Sequence, residues 1–172
     1  MKDQITNHFS DGQKWGIKIN YIEEDKPLGT AGSLSLLKDF EAPIIITNGD
    51  VFTNFNYRSL LDFHIKRNSD GTMVIRPQYS QIDYGVVEVD GEKLISFDEK
   101  PIQKHFINSG VYSLSSSAIK MVEKDTFLDM PKLFEKINQS NKTALCMPMF
   151  ENWIDIGRHE DFDKAIGLLN AT

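Results

Sequence analysis

The apolar run at residues 44–46, closely followed by Asn48-Gly49-Asp50, constrains the fold most strongly. A short run with apolar side chains on both faces is typical of a buried strand in a parallel sheet. The chain has 172 residues, of which 40% are hydrophobic and 26% are charged. That size and composition predict a single globular domain over residues 1–172, with a core of its own.

Strand and helix patterns alternate along the rest of the chain. Alternating apolar and polar residues predict strands, and apolar residues at helical spacing predict helices. Strands are predicted at residues 15–24, 44–46, 71–78, 107–114, 143–150 and 152–157, and helices at residues 31–40, 57–68, 115–124, 130–141 and 159–170. The clearest local signal is a hairpin within residues 84–100, where two alternating runs flank Asp90-Gly91, a common turn pair.

This alternation predicts an α/β fold class, with a mixed, mainly parallel sheet, flanking helices and one inserted β-hairpin. Ligands on such sheets bind beyond the carboxyl ends of the strands. Asp50 lies at such an end, and so does Asp155 if residues 153–156 form a strand. Functional residues are therefore sought first around these two aspartates.

Charge and cysteine content narrow the class of protein. The net charge of −6 argues against a general nucleic-acid binder, which would carry a basic stripe. No stretch of about 18 apolar residues predicts a membrane span, and no apolar leader at the start predicts a secretory signal. Cys146 has no cysteine partner in the chain for a disulfide, so we expect a reduced, cytoplasmic setting.

Asp50 and Asp155 are candidate metal ligands. Asp50 follows an apolar strand, where a carboxylate needs a partner, and a divalent cation is a suitable one. Asp155 alternates with Trp153, so both side chains share one face of the predicted strand. Two such aspartates suit Mg²⁺, which takes one or two carboxylates together with substrate phosphates. The alternative is a turn-capping Asp50 and an independent surface acid at Asp155.

Glu99 and Lys100 are candidate ligand-binding residues. Because neighbours on an extended segment point apart, the pair can contact two parts of one ligand, a hydroxyl and a phosphate. Tyr84 and Gly85 offer an aromatic ring and a place where backbone can approach closely. The alternatives are a solvated charge pair and the start of a strand.

Two glycine-containing stretches have both a functional and a structural interpretation. Asn108 and Gly110 offer an amide and close backbone approach to a ligand, or alternatively mark a β-bulge. Gly29 and Gly32 allow backbone to lie close to a nucleotide at the start of a helix, or alternatively form a turn with Ser33 as the helix cap. The second stretch matches neither a P-loop nor a G-x-G-x-x-G fingerprint.

Six stretches in chain order carry a family resemblance: PLGTAGSL, TNGD, DYGVVEVD, FDEKP, INSGVY and WIDIG. Together they resemble the sugar-1-phosphate nucleotidyltransferases, or nucleotide-sugar pyrophosphorylases. The likeness extends from Trp15 to the last helix and is nearest to the mannose-1-phosphate guanylyltransferase and glucose-1-phosphate thymidylyltransferase branches. It implies a Rossmann-like sheet and transfer of a nucleotidyl group from an NTP to a sugar 1-phosphate, giving an NDP-sugar and pyrophosphate.

The resemblance also implies roles for individual residues. Asp50 would bind Mg²⁺ next to the α-phosphate, and Asp155 would complete the metal site. Lys100 would hold the sugar phosphate and would form the catalytic set with the two aspartates. Expected substrate contacts are Leu28, Gly29, Thr30, Ala31 and Gly32 on the nucleotide, Tyr84, Gly85, Glu99 and Asn108 on the sugar, and Gly49, Gly110 and Trp153 around them.

One feature of the family is not found in this sequence. Members open with a strand and a glycine-rich loop, G-G-x-G-T-R, which cradles the triphosphate, whereas the residues before Trp15 contain no such loop. The resemblance therefore implies the C-terminal portion of a catalytic domain, incomplete at its N-terminus and with little or no turnover alone. We expect self-association, as a homo-oligomer, or a partner to cover the exposed sheet edge.

Two other functions stay open at this point. A non-catalytic relative that binds nucleotide sugar in a regulatory or scaffolding role would keep the same fold. Retention of Asp50, Lys100 and Asp155 favours the enzyme, whereas the missing loop favours the non-catalytic relative. A metal-dependent glycosyltransferase would need an Asp-x-Asp near the strand end, and the residue two before Asp50 is Asn48.

Overall fold

The computed structural model describes residues 2–37, 40–41, 43–157 and 159–169. The strands are β1 (Ile44–Thr47), β2 (Val51–Thr53), β3 (Gly71–Gln81), β4 (Val86–Asp90), β5 (Lys93–Asp98), β6 (Ile102–Leu114), β7 (Ala144–Pro148) and β8 (Trp153–Asp155). The helices are α1 (Lys2–Phe9), α2 (Gly29–Gly32), α3 (Tyr57–Lys66), α4 (Ser116–Ile119), α5 (Met130–Gln139) and α6 (His159–Leu169), with 3₁₀ turns at Gln13–Trp15 and Ser33–Leu36. None of the helices in these ranges is long and apolar enough to cross a membrane.

The central sheet has the strand order β1-β6-β3-β7. β6 pairs antiparallel with both β1 and β3, and β3 pairs parallel with β7. β1, β3 and β7 therefore point the same way, and β6 runs against them. This confirms the predicted α/β class and a mixed sheet. Of the three strand pairings described in this sheet, only that of β3 with β7 is parallel, so the expectation of mainly parallel pairing is not confirmed.

Most of the longer predicted elements are found near their expected bounds. Helices α3, α5 and α6 and strands β3, β6, β7 and β8 all overlap the predicted segments, and residue 170 of the last predicted helix lies outside the described residues. The inserted hairpin is also confirmed. Its loop is Gly91 and Glu92, while Asp90 is the last paired residue of β4 and lies opposite Lys93.

Strand β1 differs from the prediction of a buried parallel strand, because its neighbour β6 is antiparallel to it. Its isoleucines are half-buried. Ile44 and Ile46 pack against one core cluster and Ile45 packs against the other, so both faces of β1 are covered as the apolar run predicted. The long β6 returns between β1 and β3 and separates the two strands that point the same way.

The strand predicted at residues 15–24 is not present. A 3₁₀ turn ends at Trp15, and the chain then continues without regular structure as far as α2. Ile17 and Tyr21 are exposed, at 58% and 42% of their surface. Alternation alone does not make a strand, because a strand also needs a neighbour for its backbone hydrogen bonds.

Two predicted helices are shorter than expected. The segment at residues 31–40 contains the end of the short α2 and one 3₁₀ turn, and its residues 38–39 lie outside the described part of the chain. The segment at residues 115–124 contains only α4. The chain then continues to Leu128, whose N–H donates to Leu28 O at 2.8 Å.

Two core clusters lie on opposite faces of the sheet. The larger cluster gathers α2, α4, α5 and one face of β6, including Tyr112 and Leu133. The smaller cluster contains Leu60 of α3 with Val74 and Val111 of the sheet. Val111 and Tyr112 are neighbours on β6, so their side chains point to opposite faces and mark the two sides of the sheet.

Candidate active site

The Asn48-Gly49-Asp50 turn lies at the carboxyl end of β1, as predicted. Asn48 N–H donates to Gly110 O at 2.9 Å, which fixes the turn against β6. Gly49 and Asp50 are exposed in the turn, and β2 begins at the next residue. The structure therefore presents the Asp50 carboxylate at an accessible sheet edge.

Strand pairing brings the segments of Asp50 and Asp155 together. β2 and β8 are antiparallel, with Val51 opposite Asp155, and Ile156 N–H donates to Asp50 O at 2.8 Å. The two aspartates are thus offset by one residue across the same pair of strands. Both are exposed to solvent.

This pair of carboxylates fits the requirements of Mg²⁺ better than those of a fully protein-coordinated metal. Within the described residues no group of three or more His, Cys, Asp or Glu side chains is placed to hold a metal ion. Mg²⁺ commonly takes only one or two carboxylates and keeps water or substrate oxygens as its other ligands. Asp50 and Asp155 are the two carboxylates that the sequence predicted for such a site.

The loop of residues 28–32 shares a pocket with the Asp50 turn. Thr30 lines a shallow pocket of about 440 Å³ together with the end of β1 and Asn48, Gly49 and Asp50. The sequence placed these two stretches in one site, and the structure places them on one surface. The pocket thus brings one expected nucleotide contact, Thr30, and one expected metal ligand, Asp50, onto the same surface.

The two glycines of this loop are required by packing against the segment that precedes α5. Gly29 has φ +77°, and a Cβ there would lie 2.7 Å from Leu128 O. A Cβ on Gly32 would lie 2.7 Å from Thr126 O. Sequence reasoning assigned both glycines to a nucleotide or a local turn and missed this contact, because the partner segment is remote in the chain.

The backbone donors of the loop are engaged within the protein. Thr30 N–H donates to Asp129 Oδ1 at 3.2 Å, and the N–H groups of Ala31 and Gly32 donate to Leu128 O at 2.9 and 3.0 Å. The Thr30 hydroxyl in turn accepts from Met130 N–H at 2.8 Å. A phosphate cannot use donors that are already occupied, so this loop is not built as a phosphate cradle.

Asn108 and Gly110 lie in a bulge of β6. Met73 pairs with Tyr112 and Ile75 with Asn108, so Val74 alone lies opposite three residues of β6. Gly110 has φ +75°, and a Cβ there would lie 2.8 Å from Asn48 Nδ2. The bulge interpretation is correct, and the bulge lies directly against the Asp50 turn.

The side chain of Asn108 is hydrogen-bonded within the protein. Its Nδ2 donates to Tyr112 Oη at 2.6 Å, and its Oδ1 accepts from Gly110 N–H at 3.0 Å. Burial raises the pKa of Tyr112, and the Asn108 hydrogen bond opposes that effect. The amide thus stabilises the bulge, and its Oδ1 retains a free lone pair.

Trp153 is held by contacts with two neighbouring strands. Its Nε1 donates to Ser109 O at 2.8 Å, and the Arg76 guanidinium lies 5.0 Å from its ring centre. Arg76 also donates to Trp153 O at 3.2 Å. Sequence reasoning missed Arg76; the available signal was a lone arginine within the otherwise apolar run of β3.

A second group of expected site residues meets at the base of the β4–β5 hairpin. A Cβ on Gly85 would lie 3.0 Å from Glu99 Oε2, and Tyr84 is 79% exposed. Lys100 adopts φ +50°, in the turn between β5 and β6. From the start of β6 to Asn108 is six residues, or about 20 Å of extended strand. The expected sugar contacts therefore fall into two groups along β6.

Comparison with known proteins decides the family. A model of the nucleotidyl transferase family, described as "Nucleotidyl transferase", matches residues 1–171. The chain belongs to this family. Its relatives include sugar-1-phosphate nucleotidyltransferases, in agreement with the resemblance noted from the six sequence stretches.

Two such relatives are catalytic beta subunits of mannose-1-phosphate guanylyltransferase. The protein from Dictyostelium discoideum is 31% identical over 91% of the chain, and that from Drosophila melanogaster is 32% identical over 88%. The chain spans 45% and 43% of their lengths. Among solved structures, HddC from Yersinia pseudotuberculosis superposes with a TM-score of 0.70 at 26% identity, covering 97% of the chain and 74% of HddC. The Rossmann-like fold of this nucleotidyl transferase family member is confirmed.

Proposed function

We propose that this protein acts in nucleotidyl transfer from an NTP to a sugar 1-phosphate, giving an NDP-sugar and pyrophosphate. The observation that supports the proposal is the β2–β8 pairing: Asp155 lies opposite Val51, the residue after Asp50, and Asp50 lines the same pocket as Thr30. The guanylyltransferase relatives make GTP and mannose 1-phosphate the first substrates to test.

The chemistry of this reaction suits the residues present. A phosphate oxygen of the sugar 1-phosphate forms a bond to the α-phosphorus of the NTP, and the bond to pyrophosphate breaks. Both reactants are anionic, so the protein must reduce their repulsion and align them. Asp50 and Asp155 would hold Mg²⁺, which when bound offsets phosphate charge. Lys100 would hold the sugar phosphate.

The remaining substrate contacts are assigned to the surface around Asp50 and to the base of the β4–β5 hairpin. The loop of residues 28–32 would contact the base, since most of its backbone donors are already occupied and unavailable to phosphates. We assign Asn108 to the sugar, and Gly49, Gly110 and Trp153 to the walls of the site. Tyr84, Gly85 and Glu99, which the resemblance also implies for the sugar, form the separate group at the base of the β4–β5 hairpin.

Isothermal titration calorimetry with GDP-mannose and Mg²⁺ tests the proposal. We expect Asp50→Asn and Asp155→Asn each to weaken binding by about tenfold or more, because each removes a charged ligand of the metal. Asp3→Asn is the matched control, since Asp3 is an exposed aspartate on α1. Unchanged affinity in both site variants would contradict the assignment of the metal site.

A second candidate function is binding of a nucleotide sugar without turnover. It is favoured by the engaged N–H groups of Thr30, Ala31 and Gly32, which cannot stabilise a triphosphate. Pyrophosphate release from GTP and mannose 1-phosphate distinguishes the two functions. Mg²⁺-dependent binding of GDP-mannose without release would support the binding protein, whereas release that Asp50→Asn abolishes would support the enzyme.

We also propose that the chain self-associates or binds a partner that covers an open sheet edge. β1 has apolar contacts on both faces, yet among the described strands only β6 pairs with it. A strand that is covered on both faces but unpaired along one edge can pair with a strand of another chain. Light scattering should show a species larger than the monomer; a monomer at micromolar concentration would count against self-association.

A further inference from the structure

Two successive carbonyl oxygens in the bulge of β6 hold two different segments of the chain. Gly110 O accepts a hydrogen bond from Asn48 N–H at 2.9 Å. Ser109 O accepts a hydrogen bond from Trp153 Nε1 at 2.8 Å. One of these bonds therefore fixes the turn after β1, and the other fixes the short strand β8.

Each of these anchored residues lies close to a candidate metal ligand. Asn48 is two residues before Asp50, and Trp153 is two residues before Asp155. The two aspartates come from remote parts of the chain, and the pairing of β2 with β8 joins their segments. Because the bulge holds a residue next to each aspartate, the separation of the two carboxylates depends on the conformation of the bulge.

The hydroxyl of Ser109 stabilises the bulge itself. Val74 of β3 lies alone opposite three residues of β6, so residue-by-residue pairing stops there. Ser109 Oγ donates to Val74 O at 2.8 Å and supplies a hydrogen bond across this irregularity. The Ser109 side chain is fully buried, where loss of a hydrogen-bond partner is costly. Ser109 is thus tied to β3 through its hydroxyl and to Trp153 through its carbonyl oxygen.

Packing fixes the other half of the bulge. Gly110 has φ +75°, and a Cβ there would lie 2.8 Å from Asn48 Nδ2 and 3.1 Å from Val51 Cγ2. Val51 is the residue of β2 that lies opposite Asp155. The bulge therefore packs directly on the strand pair that carries the two aspartates.

We infer that Ser109 is a positioning residue for the Asp50–Asp155 pair. It acts through the bulge, which orients both segments, and not by contact with the metal or the substrate. Mg²⁺ demands near-ideal octahedral geometry, and the groups of a functional site must be held within about 0.5 Å of that geometry. This role rests on the proposed function, because it presupposes the metal site.

The same strand provides a matched control. Ser113 is also a fully buried serine of β6. Among the described residues, its hydroxyl has no hydrogen-bond partner. Ser113→Ala therefore breaks no such bond, whereas Ser109→Ala takes a buried donor away from Val74 O. Comparison of the two variants separates loss of a buried hydroxyl from loss of the hydrogen bond across the bulge.

Nuclear magnetic resonance of the full chain reports on the bulge directly. We expect Ser109→Ala to shift the signals of the Trp153 Nε1–H and of the Asn48 amide, because both groups donate to carbonyl oxygens of the bulge. Ser113→Ala should leave both signals close to their wild-type positions. The chain has two tryptophans, so Trp15→Phe identifies the Trp153 indole signal. Circular dichroism checks that each variant is folded.

Binding of Mn²⁺ alone, followed by electron paramagnetic resonance, measures the consequence for the metal site. Mn²⁺ shares the preference of Mg²⁺ for carboxylate and water oxygens. We expect Ser109→Ala to weaken Mn²⁺ binding about fivefold and Asp50→Asn about tenfold or more, whereas Ser113→Ala should match the wild type. Ser109→Cys keeps a weak donor and should fall between the wild type and Ser109→Ala. It also provides the second variant if Ser109→Ala does not fold.

Equal Mn²⁺ affinities in Ser109→Ala and Ser113→Ala overturn the inference. Mn²⁺ binding that Asp50→Asn does not weaken overturns the metal assignment, and the role of Ser109 with it. Failure of the proposed transfer reaction alone gives a different result. Pyrophosphate release would then be absent while the Mn²⁺ affinities keep the expected order, which supports the positioning role.

Discussion

Gly29 and Gly32 show that single residues near a ligand pocket can be set by packing rather than by the ligand. Their missing side chains let the loop lie against Thr126 and Leu128. Thr30 and Asp129 complete the contact although they are 99 residues apart in the chain. The loop next to the Asp50 turn is therefore held by α5, and its geometry depends on that helix.

Substitution of Gly29 by alanine should destabilise the fold. Its φ of +77° disfavours any Cβ, and the added atom would lie 2.7 Å from Leu128 O. We expect the free energy of unfolding in urea to fall by about 2 kcal/mol or more. Gly49→Ala is the control in the same pocket, because a Cβ at Gly49 would have open space within 4 Å. Its effect should stay within about 0.5 kcal/mol, and equal losses in the two variants would contradict the packing role.

At the scale of elements, the short β8 is positioned by β3 and by the bulge of β6. Trp153 donates to Ser109 O on one side, and Arg76 contacts its ring and its carbonyl oxygen on the other. β8 has only three residues, so these contacts supply much of what holds Asp155 in place beside β2.

Arg76→Met should therefore loosen β8. The variant loses a half-buried cation–π contact and one hydrogen bond, so we expect the free energy of unfolding to fall by about 1–2 kcal/mol. Arg67→Met is a matched control, since the exposed Arg67 lies 5.7 Å from the Phe63 ring without a comparable side-chain hydrogen bond among the described contacts. Urea unfolding followed by tryptophan fluorescence measures both. A loss in Arg76→Met no larger than that in Arg67→Met would count against this role.

At the scale of the whole molecule, stability should depend on pH through a histidine between α3 and the sheet. His64 is 2% exposed, and its Nδ1 lies 2.9 Å from Thr72 Oγ1. Burial lowers the pKa of His64 below its ordinary value of 6.5, and the charge of Asp70 only partly opposes this. The unfolded chain then binds a proton at a pH where the folded chain does not.

The sign of this effect follows from linkage. The contribution of neutral, buried His64 to the free energy of unfolding is fully present above the unfolded pKa of 6.5. It is lost as pH falls through the lower pKa of the folded state. The free energy of unfolding of the wild type should thus decline as pH falls from about 6.5 through the lower folded pKa. His64→Gln should remove this part of the pH dependence. Urea unfolding at a series of pH values measures it, with the exposed His105→Gln as control. Equal slopes in all three proteins would show that His64 is not responsible.

Local patterns were sufficient for much of the fold. The apolar periodicity of α3 and α5, the hairpin around Asp90 and the position of Asp50 after an apolar strand were all predictable from neighbouring residues, and the structure confirms them. Residues 15–24 show the limit of this reasoning. Their alternation is genuine, but a strand also requires a pairing partner that the local pattern does not reveal.

The sequence by itself determined the α/β class, the family resemblance and the set of residues to test, because short-range periodicity and motif order are written along the chain. Only the tertiary structure decided the strand order β1-β6-β3-β7, the contact of Gly29 with Leu128 and the contact of Arg76 with Trp153. These features depend on which distant segments pack together. That choice is made by the burial of both faces of the sheet and the pairing of strand edges.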